Sequence, residues 1–383
     1  MQFQCCYWMG LFMDNTTLNE DWNVLLSMFP SNWRQLASDT NAMVRKLRSF
    51  PDEESILRVL FLHLANGYSL RETITRAKLA GIADVSDVAL LKRLQCSESW
   101  LKELSLCLLH ERGTLSQLPP QIESVQMRLV DGTYVKEPGK TGSQWRIHYS
   151  LKLPDLQCDY FKLTENEGEH TGESFKQFPA QKGDCIIGDR GYSTVQGIAH
   201  LDKKGAYSLV RVNTSALALY STADKRFDLL KAVANLKEEY CIRHWDVMVS
   251  EDGKHFIDGR VCVIRKSNIS VEQAIKKLKE KANKNQRNIK PQTLEFAKYI
   301  IIFTTLPENF SANAVLEWYR VRWQIELVFK RLKSLTGFGH LPKHDERSSR
   351  AWLYGKLLVG LLVEKLIHCS SVISPWGYYL QQK

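Results

Sequence analysis

The chain of 383 residues has no CxxC pair among its nine cysteines, which stand at 5, 6, 96, 107, 158, 185, 241, 262 and 369. An odd, scattered set gives neither a zinc finger nor a disulfide framework, and points to a reducing cytosol. No apolar run reaches the length of a membrane span. The richest, LYGKLLVGLLVEKLIH at 353–368, is broken by Lys356, Glu364 and Lys365 and reads as a buried helix. Internal repeats and low-complexity tracts are missing, which excludes a repeat architecture. The opening MQFQCCYWMGLF lacks the basic flank and small-residue cleavage site of a signal peptide, and Met13 reads as the natural start. The expectation is a cytoplasmic protein with no membrane partner.

What is present is a soluble globular composition, 44% hydrophobic and 25% charged, with length enough for two or three domains. Lys and Arg number 52 against 42 Asp and Glu, a net charge of +10. Such an excess suits a polyanion, nucleic acid above all. Charge alone does not exclude a merely soluble basic protein.

Residues 14–110 read as helical. PDEESILRVLFLHLANG (51–67) opens on Pro and acids and closes near Gly67, as a capped helix does. In SLRETITRAKLAG, Ser69 and Glu72 make a capping box and Gly81 can end the helix. Ser86 caps DVALLKRLQ. The two short helices resemble a helix-turn-helix whose second member offers Lys92 and Arg93 to DNA, although any small helical domain contains such pairs. LSQLPPQ (115–121) reads as a linker. Beyond it the pattern changes to strands: SVQMRLVDGTYV, WRIHYSLKLP, CDYFKLTEN, DCIIGDRGY and AYSLVRVN, with helices between some of them. Strands feeding helices imply a mixed α/β sheet. Residues 213–300 are mostly strand-like, apart from a helix at 270–290 with seven basic and two acidic residues. That helix reads as a DNA-tracking surface or as a solvated face.

The stretch YRVRWQIELVFKRLKS (319–334) lies in a helix that begins near Ala312. At roughly 100° per residue, Tyr319, Arg322, Glu326, Lys330 and Lys333 fall within an arc of about 80°. Val321, Ile325, Val328 and Leu332 gather on the neighbouring face, the one that docks on the sheet. Taken alone, Arg322 and Glu326 are an ordinary i,i+4 pair. Asp131 in LVDG and Asp189 in IIGDRGY each follow a short apolar run, so both carboxylates are expected at strand ends, where α/β sheets place their sites. Taken singly, each suits a turn. Three carboxylates with no nearby His or Cys suit a hard cation, Mg²⁺ or Mn²⁺, and three like charges held close need one.

With these residues the chain resembles the DDE transposases of bacterial insertion sequences, more narrowly the insertion-sequence-four family. The family's mark, Y-(2)-R-(3)-E-(6)-K, is met by Tyr319, Arg322, Glu326 and Lys333. The acidic motifs are met by DGTYV at Asp131 and IGDRGY at Asp189, and TTLP precedes the third motif. The resemblance covers nearly the whole chain. It implies an α/β, ribonuclease H-like catalytic core with a β-rich insertion and an N-terminal all-helical domain. The expected segments are a helical DNA-binding region at 1–115, core at 122–212, insertion at 213–305, and core with C-terminal helices at 306–383.

The implied activity is cut-and-paste transposition. Asp131, Asp189 and Glu326 would hold two divalent ions about 4 Å apart. Hydrolysis would nick the transposon end, and the freed 3′-OH would then attack a second strand. Arg322 and Lys333 would grip phosphates, with Tyr319 bonding another. Lys330 shares the arc but lies outside the family pattern. Arg190 would meet the DNA backbone or pair with an acid. An insertion-domain tryptophan holds a flipped base in related enzymes, and Trp245 is a candidate by type alone. Trp145 and His148 read as sheet packing. The partners implied are the terminal inverted repeats, target DNA and a second copy of the chain. Two rivals keep the fold: a catalytically inactive DNA-binding relative, and a nuclease that hydrolyses without strand transfer. A third is a basic scaffold protein.

Overall fold

The computed structural model describes residues 22–43, 50–111, 125–136, 144–153, 157–165, 172–223, 225–337, 341 and 345–371. The expected linker at 115–121 and the opening segment 1–13 lie outside them. The chain forms two compact units: Met1–Gly113 with Val135–Gly142 and Arg331–Lys383, and Thr114–Tyr134 with Ser143–Lys330.

The first unit is helical, with α1 (Trp33–Asp39), α2 (Glu53–Leu64), α3 (Leu70–Leu79), α4 (Asp87–Cys96), α5 (Glu98–Glu111) and a long last helix, Glu346–Ser371. Its helices begin where local chemistry satisfies their free N–H groups. The Asp52 carboxylate accepts from the Ser55 amide, Ser69 from Glu72, and Ser86 from Ala89. Gly67 and Gly81 adopt positive φ just past α2 and α3, the conformation that glycine takes most readily. The apolar run from Ala351 to Leu362 is buried, and a side chain at Gly355 would collide with Leu64. Among the described residues no helix is long and apolar enough to cross a membrane.

The second unit is built on one ten-stranded sheet. Its elements are β1 (Gln126–Lys136), β2 (Gln144–Lys152), β3 (Gln157–Glu165), β4 (Asp184–Gly188), α6 (Val195–Lys203), β5 (Tyr207–Arg211), β6 (Tyr220–Thr222), β7 (Lys225–Arg226), α7 (Leu229–Ala234), β8 (Ile242–Ser250), β9 (Phe256–Arg265), α8 (Asn268–Lys284), α9 (Pro291–Phe296), β10 (Tyr299–Thr304), α10 (Ala312–Val321) and α11 (Trp323–Thr336). The strand order is 3-2-1-4-5-10-9-8-6-7. β4 runs parallel to β1 and to β5, whereas β2 and β3, and β10 with both its neighbours, are antiparallel. The central strands are buried apolar runs, as strands covered on both faces must be. TTLP closes β10 onto β5: the Thr304 hydroxyl donates to the Ser208 carbonyl (2.9 Å), and the Ser208 amide to the Thr305 hydroxyl (2.9 Å). The chain is thus mixed α/β with N-terminal helices.

Strands β6–β9, within the span 213–305 expected as a β-rich insertion, continue the same sheet, because β10 pairs with β5 on one edge and β9 on the other. Two expectations differ from what is found. Residues 331–383, expected with the core, group with the N-terminal helices instead. The single helix expected from Ala312 is two. The break falls at Arg322, where tighter i→i+3 bonds run from the Arg322 amide to Tyr319 (3.0 Å) and from the Ile325 amide to Arg322 (3.2 Å).

Candidate active site

β1 and β4 are adjacent and parallel, with Leu129 opposite Ile187. Two residues further along come Asp131, which lies inside β1 rather than at the strand end expected for it, and Asp189, just past β4, so the two acids stand side by side where the β1–β4 pairing stops. Neighbouring strands lie about 4.8 Å apart. Each carboxylate is steadied by the backbone that follows it: Asp131 Oδ1 accepts from the Gly132 amide (2.8 Å), and Asp189 Oδ1 from the Gly191 amide (2.7 Å) at the start of a 3₁₀ turn. Both are half-buried. Burial, with Asp189 and Glu173 adding their charge, outweighs the Gly132 hydrogen bond and Arg322 and pushes the Asp131 carboxyl up to about 7.

Glu173 is the residue sequence reasoning missed. It lies in a bend just before the 3₁₀ turn Phe175–Gln177, and its carboxyl is raised by burial and by Asp189, against the pull of Arg146. Gly191 makes room for it: a Cβ there would stand 2.0 Å from Glu173 Oε2, whereas one on Gly132 would meet Glu173 Cγ at an ordinary contact distance of 3.6 Å. The neighbouring Gly188 is needed for packing, since a Cβ there would stand 2.8–2.9 Å from Tyr192 and Phe175. The glycines of DGTYV and IGDRGY therefore do more than turn the chain. Only their presence beside acidic residues was visible beforehand.

Glu326 is placed differently. It is exposed on α11 and paired with Arg322, which in turn is within electrostatic reach of Asp131. The half-buried Tyr319 faces Arg322, Arg211 and Asp189, and its hydroxyl is held above its usual range, chiefly by burial. Arg190 is exposed and faces Arg211, Tyr319 and Asp189. Arg211, at the end of β5, was not singled out in the sequence. With Lys266, whose ammonium donates to the Ala297 carbonyl (2.7 Å), it forms a basic border to the acids. Lys330 and Lys333 are exposed on α11. Tyr319 and Glu326 thus stand on two helices either side of Arg322, and Ile325, Val328 and Phe329 are buried.

In the helical unit, Lys92 is exposed, while the Arg93 guanidinium donates to the Ala42 carbonyl and so serves as an internal strut. Trp145 and His148 are buried in the sheet. Trp245 is half-buried on β8 against Phe227 (6.0 Å). On α8 the basic side chains are exposed.

The donor set around Asp131 is all carboxylate oxygen, with Tyr192 Oη, fully buried and without a hydrogen-bond partner, facing Asp131, Glu173 and Asp189. An orphaned donor beside carboxylates that Arg322 and Arg146 only partly offset fits a hard, water-carrying cation. Among the described residues no three His, Cys, Asp or Glu side chains already stand in a metal-binding arrangement.

Comparison with known proteins gives the same direction. The family described as "Transposase DDE domain" matches residues 161–362. The putative transposase InsL for insertion sequence element IS186A of Escherichia coli (strain K12) is 30% identical over 93% of this chain and 96% of its own length. The transposase for insertion sequence element IS421 of Escherichia coli matches at 30% over the same shares. The transposase for insertion sequence element IS231F of Bacillus thuringiensis subsp. israelensis is 24% identical over 71% of this chain and 57% of its own.

Proposed function

This chain belongs to the DDE transposases of insertion sequences, in the insertion-sequence-four family, and we propose that it cuts and joins DNA with Asp131, Asp189 and Glu326 as its catalytic acids. The observation that carries this is the side-by-side placement of Asp131 and Asp189 where the parallel pairing of β1 with β4 stops. The order 3-2-1-4-5, with strands 1, 4 and 5 parallel, supports a ribonuclease H-like core.

Asp131, Asp189 and Glu326 would hold divalent ions, Mg²⁺ or Mn²⁺ and two in number. When bound, these supply an activated water and stabilise the leaving 3′-oxygen. The protein's own part is positioning and charge. Asp131 and Asp189 are oriented by the amides of Gly132 and Gly191. Arg322 holds Glu326 in the DNA-free protein. A phosphate arriving at the fork of Arg322 competes with that carboxylate, which frees Glu326 to turn toward Asp131. Tyr319, Arg190 and Arg211 form the wall along which the strand's phosphates lie, with Lys330 and Lys333 further along α11. Lys92 and the basic face of α8 add sequence-independent attraction for double-stranded DNA, in cytoplasm or nucleoid. Cutting two transposon ends together calls for a homodimer on DNA.

The test is nicking of DNA carrying the terminal inverted repeats. The parent protein should nick and then join in Mg²⁺. Glu326→Gln should lose nicking by on the order of 10³-fold or more while gel-shift affinity stays within about twofold. Unchanged nicking in that variant would remove the reading. Nicked product that is never joined would leave a nuclease instead.

A further inference from the structure

Glu173 takes no part in the mechanism above, yet it stands closer to Asp131 and Asp189 than a surface glutamate has reason to. Its backbone is anchored by Phe175, fully buried and 5.3 Å from the Tyr192 ring. Its side chain enters a slot beside Gly132 that exists because residue 191 has no Cβ. It meets the negative charge of Asp189 there and adds its own to Asp131. Placing a third carboxylate among two others is unfavourable unless a cation is shared.

A second observation is independent of the acids. Tyr192 Oη is fully buried, faces all three carboxylates and bonds to none of them. It would lie 3.7 Å from a Cβ on Gly132, at the mouth of the same slot. A buried phenol keeps its hydrogen-bond partner as a rule. One aimed at a ring of carboxylates without reaching any is matched to an oxygen between them. Glu326, by contrast, is turned to Arg322.

We propose that Glu173 is a further carboxylate ligand of the divalent cation, closing on it together with Asp131 and Asp189 when the ion enters the DNA-free protein, since the three do not stand in a metal-binding arrangement without it, and that the Tyr192 hydroxyl donates to an oxygen in that ion's shell. This rests on the metal-dependent reading above and extends it. Glu173 keeps an ion in place while Glu326 is engaged by Arg322, so the arrival of DNA completes a site that is already loaded. The structural rival is that Glu173 is present only to accompany Arg146, which lies beside it.

The experiment is Mn²⁺ binding to the full chain without DNA, measured by calorimetry and by the electron paramagnetic resonance of free Mn²⁺. Glu173→Gln should weaken binding about tenfold or more, Asp131→Asn at least as much, and Glu326→Gln less than either. Gly191→Ala should match Glu173→Gln, because the new methyl displaces the carboxylate without altering it; this variant decides the matter if Glu173→Gln fails to fold. Parent-like Mn²⁺ affinity in folded Glu173→Gln, or in Gly191→Ala where the former does not fold, overturns the inference. If Asp131→Asn is weakened in that case, the metal reading stands without Glu173. If Asp131→Asn also binds like the parent, or the parent binds no Mn²⁺, both fall.

Discussion

Asp131 and Glu326 are two acids of one proposed trio, held in opposite ways. Asp131 is half-buried within a strand, beside two other carboxylates, with its carboxyl pushed up to about 7. Glu326 projects from a helix into solvent and is matched by an arginine one turn back. A strand fixes where its side chain points, so register alone places Asp131 beside Asp189 and burial makes the crowding costly. A helix offers its acid an i−4 neighbour as counter-charge, so Glu326 is comfortable without anything else. The strand acids are preorganised and strained by their own charge. The helix acid is relaxed and conditional on what happens to Arg322.

The largest effect expected from breaking this contrast lies at Arg322. Arg322→Ala should lower nicking about 100-fold, since the lost phosphate contact outweighs the release of Glu326. Arg322→Lys should recover only part, because an ammonium lacks the two-pronged fork. Equal activity in Arg322→Ala and the parent would show that Glu326 does not depend on its partner.

A smaller effect sharpens the contrast through stability. The folded-state value for Asp131 lies above its unfolded value of 3.8. The stability it contributes is therefore complete below about pH 4 and lost as pH rises through about 7. In metal-free buffer at pH 8, Asp131→Asn should melt several degrees above the parent, and Glu326→Gln should melt with it. A lower melting temperature for Asp131→Asn would mean that the carboxylate cluster is not strained.

The smallest effect comes from a buried charge of the opposite sign. Lys356 is 2% exposed in the helical unit, 5.0 Å from the ring of Trp352, and burial brings its ammonium down to about 8 from 10.5. The unfolded chain therefore binds more protons between those two values, and stability rises with pH across that window. Urea midpoints of the parent should climb from pH 8 to 10, and Lys356→Met should flatten the climb. A parent curve already flat would show the ammonium to be solvated.

Much of the site could be read from the chain. Asp131 and Asp189 announce themselves by following short apolar runs, and the pair Arg322 and Glu326 by its spacing. The serine caps at 69 and 86 form as their neighbours dictate. Glu173 had no such signal. It sits in HTGESF, with neither a strand before it in register nor a helical period around it. Arg93 looked like a DNA contact because its helix is short and basic, but a carbonyl 51 residues away claims it. The break at Arg322 was hidden too, since nothing in RVRWQ is a helix breaker.

Chain-local chemistry was enough for the caps, the apolar strands and the acids that follow their apolar runs, because each depends on residues within a turn or two. Which carboxylates share one space is a different kind of question. It turns on the parallel pairing of β1 with β4, on β1 running on past Asp131, on the side chain that Gly191 does not have, and on whether Glu326 answers to Arg322 or to the sheet. Those are distances between residues far apart in the sequence, and electrostatic energy depends on distance through space rather than along the chain.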